Sequence, residues 1–245
     1  LDADIDLIGN TISGNTASGD GGGVVLTNMN FSTPPTPFVS LNTITNNTAG
    51  GDGGGLCIKG FSDPSAFNIS LDGDTISDNQ ALRGGGIFND TAELALTDVE
   101  VSSNSVTGSG SDGRGGGIWN SDSYGGDSSL TITGGLIDAN TSTGRGAGIY
   151  TEHDVSITDC TVSNNLAGDE GGGLDSYFIF SDSVSISGCS FLGNSAIKGG
   201  GAFLSGSSVT VEQSVFAYNT LIPGGTFNPS SAIYLNSPAT VSGCT

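Results

Sequence analysis

The chain repeats one order of apolar and polar positions from end to end. In each repeat two apolar residues lie ten and eight positions before an asparagine, another lies three positions before it, and a further one follows a glycine triplet. Apolar residues at every second position are typical of a β-strand with one buried face. The paired positions are Ile69/Leu71, Leu94/Leu96, Leu130/Ile132, Val155/Ile157, Val184/Ile186 and Val209/Val211. The positions before the asparagine are Ile12, Ile44, Ile76, Val101, Ile137, Val162, Phe191 and Phe216, and those after the glycines are Val24, Leu56, Ile87, Ile118, Ile149, Leu174 and Ala202. Each repeat therefore predicts three short strands.

The asparagine itself recurs eight times, at Asn15, Asn47, Asn79, Asn104, Asn140, Asn165, Asn194 and Asn219. Seven of these copies are followed by a triplet of three glycines or, at 146–148, by Gly-Ala-Gly. Self-similarity at a period of about 20 to 50 residues indicates a solenoid. Together with three strands per repeat, it predicts an all-β fold, a single-stranded parallel β-helix of about eight to nine rungs.

The asparagines and glycines are predicted to be structural. Because they recur in every rung, they behave as scaffold residues, whereas a catalytic residue would occur once. We expect the asparagine amides to bond to those above and below in a stacked ladder. The glycines would supply positive φ angles or close approach between rungs.

The repeat runs through residues 1–245, which predicts one β-helix domain. The chain begins at strand residues and stops inside a ninth repeat without a polar cap. Since solenoids need caps to protect their ends, we expect a segment of a longer repeat protein.

The net charge of the chain excludes some classes of binding partner. The chain holds 25 acidic against 5 basic residues, a formal net charge of -20, which repels nucleic acid and anionic membranes. It has no run of about 18 apolar residues that would span a membrane. This acidity suits a salty or calcium-rich extracellular medium, and the high aspartate content with scarce lysine equally fits the protein of a halophile. We expect no cofactor and no dedicated metal site, although calcium bound incidentally in acidic loops is plausible.

One stretch carries a family resemblance. FLGN at 191–194 followed by GGGA at 199–202 resembles the paired FxxN and GGA(I/L/V) repeats of chlamydial polymorphic outer-membrane proteins and of many bacterial right-handed β-helix surface proteins. The likeness covers nearly the full chain, but only Phe191 and Phe216 supply the aromatic residue of FxxN. The resemblance implies a right-handed, pectate-lyase-like solenoid that is secreted or displayed on the cell surface and is often adhesive.

The residue before each glycine triplet forms a charged series. It reads Asp20, Asp52, Arg83, Arg114, Arg145, Glu170 and Lys198. With rungs in register, Asp52 would meet Arg83, and Glu170 would meet both Arg145 and Lys198. One interpretation is an exposed ladder of ion pairs that fixes register, each worth about 0.2 to 1 kcal/mol. The other is a cationic strip, formed by Arg83, Arg114 and Arg145, that binds anionic sugar.

A second series lies two places after each triplet. It reads Val25, Cys57, Phe88, Trp119, Tyr150, Asp175 and Phe203, and the degenerate eighth copy adds Tyr234. Alternation predicts that these side chains point outward, where aromatic rings bind sugars or another protein. Alternatively, insertions at 27–36, 59–68, 121–129 and 175–183 cover them, since these bring Phe31, Phe61, Phe67, Tyr124, Tyr177, Phe178 and Phe180.

Three cysteines also recur at one position of the repeat. Cys160, Cys189 and Cys244 lie five positions before the asparagine or its equivalent. Stacked parallel Cβ vectors are poor geometry for a disulfide. We therefore predict buried free thiols.

Three functions follow from these patterns. The first is a non-enzymatic extracellular or cell-surface solenoid, a stalk, adhesin or filament, that binds carbohydrate, another copy of itself or another surface protein. The second is a polysaccharide lyase or glycoside hydrolase with its groove beside the three arginines, although five cations make a poor site for a polyanion. The third is an ice-binding solenoid, suggested by outward pairs such as Thr131/Thr133 but interrupted at Asp72, Ala95 and Glu212.

Overall fold

The computed structural model describes residues 5–28, 37–60, 67–121, 128–177, 182–224 and 230–245. Their strands are all paired in parallel and stack into four sheets, which we name A to D in the order in which each rung visits them. The predicted parallel β-helix is confirmed. The described residues include one short helical element, a 3₁₀ turn at Gly110–Asp112.

Sheet A has nine strands, and sheets B, C and D have eight each. Sheet A consists of β1 (Asp6–Ile8), β5 (Phe38–Ser40), β9 (Asn68–Asp72), β13 (Glu93–Thr97), β17 (Ser129–Thr133), β21 (Val155–Thr158), β25 (Ser183–Ser187), β29 (Ser208–Glu212) and β33 (Ala239–Ser242). Sheet B consists of β2 (Thr11–Ser13), β6 (Thr43–Thr45), β10 (Thr75–Ser77), β14 (Glu100–Ser102), β18 (Leu136–Asp138), β22 (Thr161–Ser163), β26 (Ser190–Leu192) and β30 (Val215–Ala217).

Sheet C consists of two-residue strands, β3 (Thr16–Ala17), β7 (Thr48–Ala49), β11 (Gln80–Ala81), β15 (Ser105–Val106), β19 (Thr141–Ser142), β23 (Leu166–Ala167), β27 (Ser195–Ala196) and β31 (Thr220–Leu221). Sheet D consists of β4 (Val24–Asn28), β8 (Leu56–Gly60), β12 (Ile87–Asp90), β16 (Ile118–Ser121), β20 (Ile149–Thr151), β24 (Leu174–Ser176), β28 (Ala202–Leu204) and β32 (Ile233–Leu235).

Sheets A, B and D contain the three strands per rung that the apolar pattern predicts. The strands of sheet C are an addition, and each directly follows the repeated asparagine. Register is kept between rungs: Leu94 pairs with Ile69 on one side and with Leu130 on the other. Each inward series therefore stacks on itself.

The core is one continuous column of apolar side chains, most of them aliphatic. Ile76 lies between Ile44 and Val101 in sheet B, and all three are fully buried. Burial of such a side chain contributes about 1.5 to 3 kcal/mol, whereas ordering each residue's backbone costs about 1 to 2 kcal/mol. A single rung buries too little to be stable, so stability comes from stacking.

The asparagine ladder is present in all eight rungs and satisfies the side chains of its buried members completely. Asn79 donates its backbone N–H and its Nδ2 to Oδ1 of Asn104, each at 3.0 Å, and donates Nδ2 again to the Ile44 carbonyl at 2.9 Å. Its own Oδ1 accepts the backbone N–H and the Nδ2 of Asn47. Asn79 is 1 % exposed. The predicted ladder is confirmed, and each buried amide uses two donors and two acceptor positions.

This geometry explains why the position is asparagine. An aspartate would lack the two N–H donors and would place a charge opposite a carbonyl oxygen. A buried polar group left without a partner costs about 1 to 3 kcal/mol.

The glycine triplet serves the same corner of the rung. The first glycine takes a left-handed conformation, as at Gly115 with φ +63°. The third lies against the asparagine: a Cβ added at Gly117 would be 3.0 Å from Cγ of Asn140 and 2.6 Å from the carbonyl oxygen of Gly148. Both predicted roles of the glycines are confirmed, and the third glycine makes room for the asparagine amide.

A second, shorter ladder was not predicted. Asn42 lies five positions before Asn47, and its Nδ2 and backbone N–H both donate to Oδ1 of Asp74 at 2.8 Å. Farther along the same series the position becomes Cys160 and Cys189, which are free and buried as predicted. Cys244 is free and half-buried.

Substituting Gly117→Ala should lower the unfolding free energy by about 1 to 3 kcal/mol, because the added methyl group overlaps the Gly148 carbonyl and the Asn140 amide. Denaturant unfolding followed by circular dichroism measures this loss. The matched control is Gly19→Ala, where the added Cβ meets no atom within 4 Å. Equal stability losses in the two variants would contradict the packing role of Gly117.

Candidate functional site

The outer face of sheet D contains the aromatic series and is the first candidate site. Cys57, Phe88, Trp119 and Tyr150 occupy one register position on β8, β12, β16 and β20. The ring centroids of Phe88 and Trp119 are 5.8 Å apart, and those of Trp119 and Tyr150 are 5.3 Å apart. These four residues form a cluster separate from the main core, as outward-pointing side chains would.

The outward-pointing aromatic row is buried at most of its positions, so its rings do not form a solvent-exposed surface. Trp119 is 5 % exposed, Phe203 6 %, and Phe88 and Tyr150 at most 1 %. Tyr234 is half-buried and stacks on Phe203 with centroids 5.0 Å apart. The burial of the aromatic row does not test its predicted role in binding, which stays a prediction.

Of the aromatic residues in the insertions, the structure describes Phe67 and Tyr177. Phe67 is buried, whereas Tyr177 is 41 % exposed. The others, Phe31, Phe61, Tyr124, Phe178 and Phe180, lie outside the described residues. Whether these insertions cover the row stays a prediction.

Basic side chains lie over the rings. The Arg83 guanidinium carbon is 5.4 Å from the Phe88 centroid and 5.5 Å from that of Trp119. Arg114 lies 4.9 Å from the Tyr150 ring, and its Nη1 donates to the Tyr150 hydroxyl at 2.7 Å. A guanidinium over an aromatic face is stabilised by the ring quadrupole while its stem excludes water. The charged series and the aromatic series therefore form one layer.

The predicted ion pairs are present. Arg83 binds Asp52 through two contacts, Nε to Oδ1 at 2.6 Å and Nη2 to Oδ2 at 2.9 Å. Glu170 accepts from Lys198 at 2.7 Å and lies 2.9 Å from Nη2 of Arg145. The register of the rungs, read from the sequence, was enough to predict these pairs.

Lys59 also belongs to this layer, and sequence reasoning missed it. Its Nζ lies 2.7 Å from Asp20 and 3.1 Å from Asp52. The signal was available, because Lys59 is two residues after Cys57 and alternation places both on the same face of β8.

All five basic residues of the chain thus lie on this face, and each lies within 3.5 Å of a carboxylate. Partial burial alone would lower the pKa of Arg83, but its hydrogen bonds to Asp52 raise it. For Asp20, burial acts to raise the pKa, but the hydrogen bonds from Lys59 and from the Asp52 backbone N–H, together with the positive charges of Lys59 and Arg83, more than offset it, so the pKa is lowered. Each cation is therefore paired with a nearby carboxylate. The described residues contain no row of unpaired guanidinium groups that could bind a polyanion.

Asp175 interrupts the aromatic series. It pairs in register with Tyr150 and Phe203, is fully buried, and neither of its carboxylate oxygens has a hydrogen-bond partner among the described residues. Burial raises the pKa of Asp175 to about 8, although attraction to Arg145 opposes the shift. The carboxyl group is therefore mostly protonated at neutral pH.

The outer face of sheet A differs from that of sheet D. Thr131, Ser156, Ser185 and Thr210 follow one another in register, so the predicted hydroxyl row is present. Ala95 precedes Thr131 in the same register and interrupts it. Ice binding by this row stays a prediction.

No helix in the described part of the chain is long and apolar enough to cross a membrane. Among the same residues, no group of three His, Cys, Asp or Glu side chains is arranged to hold a metal ion. Calcium bound in acidic loops stays a prediction.

Comparison with known families supports the repeat class. Residues 43–59 match the model of the Chlamydia polymorphic membrane protein repeat. The matched segment includes Ile44, Asn47 and the glycines at 53–55, which are scaffold residues in this structure. The predicted resemblance is confirmed for this segment, and it describes how rungs stack rather than what the outer faces bind. No curated protein and no solved structure matches the chain.

Substituting Asp175→Asn should change how stability depends on pH. Because the pKa in the folded protein lies above the unfolded value of 3.8, the folded state retains a proton that the unfolded chain loses between about pH 4 and pH 8. The unfolding free energy of the native protein therefore falls across this window. Thermal unfolding should show that the stability of Asp175→Asn relative to the native protein increases with pH up to about pH 8 and then stays constant. Asp78→Asn, at an exposed corner, is the control, and an advantage that does not vary with pH would contradict an unpaired buried carboxyl group.

Proposed function

We propose that the chain is a structural β-solenoid of the cell surface or the extracellular medium, a stalk, adhesin or filament segment rather than an enzyme. The observation that carries this proposal is the asparagine ladder, which continues through eight rungs and commits the most conspicuous repeated residues to stacking. A scaffold of this kind holds its outer faces rigid over a long distance, which is the property that an adhesive or spacer protein needs.

Two further observations support the location. The segment 43–59 matches a repeat named for Chlamydia polymorphic membrane proteins, and the formal charge of -20 favours solubility in a salty medium. The partners that we propose are carbohydrate, a second copy of the chain or another surface protein. On the outer face of sheet D, the half-buried Tyr234 and the exposed Tyr177 are the aromatic residues best placed to contact them.

A polysaccharide-active enzyme is the less favoured function. Cleavage of an acidic polysaccharide needs unpaired positive charge where negative charge develops. On sheet D, Arg83 and Arg145 instead bind Asp52 and Glu170, and Arg114 binds the Tyr150 hydroxyl. The arginines are therefore paired within the layer over the aromatic rings and do not supply unpaired positive charge.

The surface location is tested with antibodies raised against the purified chain. We expect intact source cells, or their culture medium, to be labelled as strongly as lysed cells, and protease added to intact cells to remove the cell-bound signal. A cytoplasmic protein of the same cells serves as the control for lysis. Labelling that appears only after lysis would overturn the proposed location.

A further inference from the structure

A groove runs along the outer face of sheet A. Its larger part is a cleft of about 410 Å³ between β5 and β17, floored by Phe38, Ser70, Ala95 and Thr131. These four residues occupy one register position on four successive rungs. Ser70 and Ala95, which have small side chains, lie between the larger Phe38 and Thr131 in this series. A volume of this size lies within the range of ligand-binding clefts.

The groove continues toward the later rungs. A second cavity of about 190 Å³ shares Ser129 and Thr131 with the first and extends to Ser156 and Ser185. From Phe38 to Ser185 the groove crosses six rungs, or five spacings of about 4.8 Å, a length of about 24 Å. A groove this long and shallow suits a linear ligand better than a compact one.

The groove lining combines an aromatic face with hydrogen-bonding groups. Phe38 is 40 % exposed and presents its ring to the groove. On the following rungs the lining includes Asn68, Glu93, Ser129 and Thr131, which carry amide, carboxylate and hydroxyl groups. A carboxylate accepts hydrogen bonds and an amide both donates and accepts them, so the lining suits a ligand that is rich in hydroxyl groups and has an apolar face.

The charge of the groove lining distinguishes between neutral and anionic ligands of this kind. Glu93 and Asp154 line the groove, and no basic residue lines either cavity in the described part of the chain. All five cations of the protein lie on sheet D. An anionic polymer would therefore meet uncompensated negative charge on sheet A.

We propose that this groove binds a linear, uncharged oligosaccharide, with Phe38 packing against an apolar sugar face and Glu93 accepting hydrogen bonds from sugar hydroxyls. The site lies on a different face from the aromatic and arginine residues of sheet D. The proposed function names carbohydrate among the partners and places contacts on sheet D; the groove adds a separate site on sheet A with a narrower ligand class, and binding there does not depend on where the protein is located.

The test is calorimetric titration of the purified chain with neutral hexasaccharides of glucose, xylose, mannose and N-acetylglucosamine, and with hexagalacturonate as the anionic probe. We expect at least one neutral hexasaccharide to bind more tightly than its disaccharide, and hexagalacturonate not to bind. Thr131→Trp, which fills the point shared by the two cavities, should lower the affinity about tenfold or more, and Phe38→Ala should lower it by about tenfold.

The matched controls lie on the same sheet outside the groove. Thr240→Trp is at an exposed position that pairs in register with Thr210, and Glu212 is exposed on β29. Thr240→Trp should leave affinity within about twofold of the native protein, and Glu93→Gln should weaken binding more than Glu212→Gln does. Circular dichroism confirms that each variant folds.

Absence of binding by every neutral hexasaccharide would overturn the proposal. So would binding that Thr131→Trp leaves unchanged, or hexagalacturonate binding as tightly as the neutral chains. Self-association that disappears in Thr131→Trp, measured by light scattering, would instead assign the groove to a second copy of the chain and also overturn the proposal. None of these results depends on the cellular location, so a failed localisation test and a failed groove are distinguishable.

Discussion

An asparagine side chain fixes each rung of this β-helix to the next, and the six inner members of the ladder are buried with their hydrogen-bonding groups satisfied within the stack. Asn104 receives two hydrogen bonds from Asn79 and gives two to Asn140, while its Nδ2 also reaches the Ile76 carbonyl. A slip of one residue between rungs would leave several buried polar groups unpaired at once, at about 1 to 3 kcal/mol each. The ladder therefore sets the register on which everything outside the core depends.

Because the register is fixed, side chains at the same position of successive rungs line up and form continuous outer faces. On sheet D it brings Arg83 onto Asp52 and over Phe88, so that charge and aromatic surface cover one another. On sheet A it aligns small and hydroxylated side chains, which line a groove. The two faces have opposite characters: one is a closed layer that holds every cation of the chain, and the other is an open acidic groove.

Features that repeat were predictable from the sequence, and features that depend on side-chain reach were not. The strands of sheets A, B and D, the asparagine ladder and the Arg83 ion pair follow from counting positions. The two-residue strands of sheet C contribute a single inward residue each, such as Ala81, so no alternation reveals them. Alternation placed Phe88 on the outer face but did not show that Arg83 would fold over it. The Asn42–Asp74 ladder was missed because its position changes identity along the chain.

The most direct measurement of the ladder is hydrogen exchange of asparagine side-chain amides, followed by NMR on the native protein. The Nδ2 protons of Asn79, Asn104, Asn140 and Asn165 should exchange as slowly as the backbone amides of the inner strands, because only opening of the stack exposes them. The exposed Asn46, whose Nδ2 bonds to Thr45 Oγ1, provides the fast reference. Exchange of the four buried amides at the rate of Asn46 would contradict a ladder that holds the rungs together.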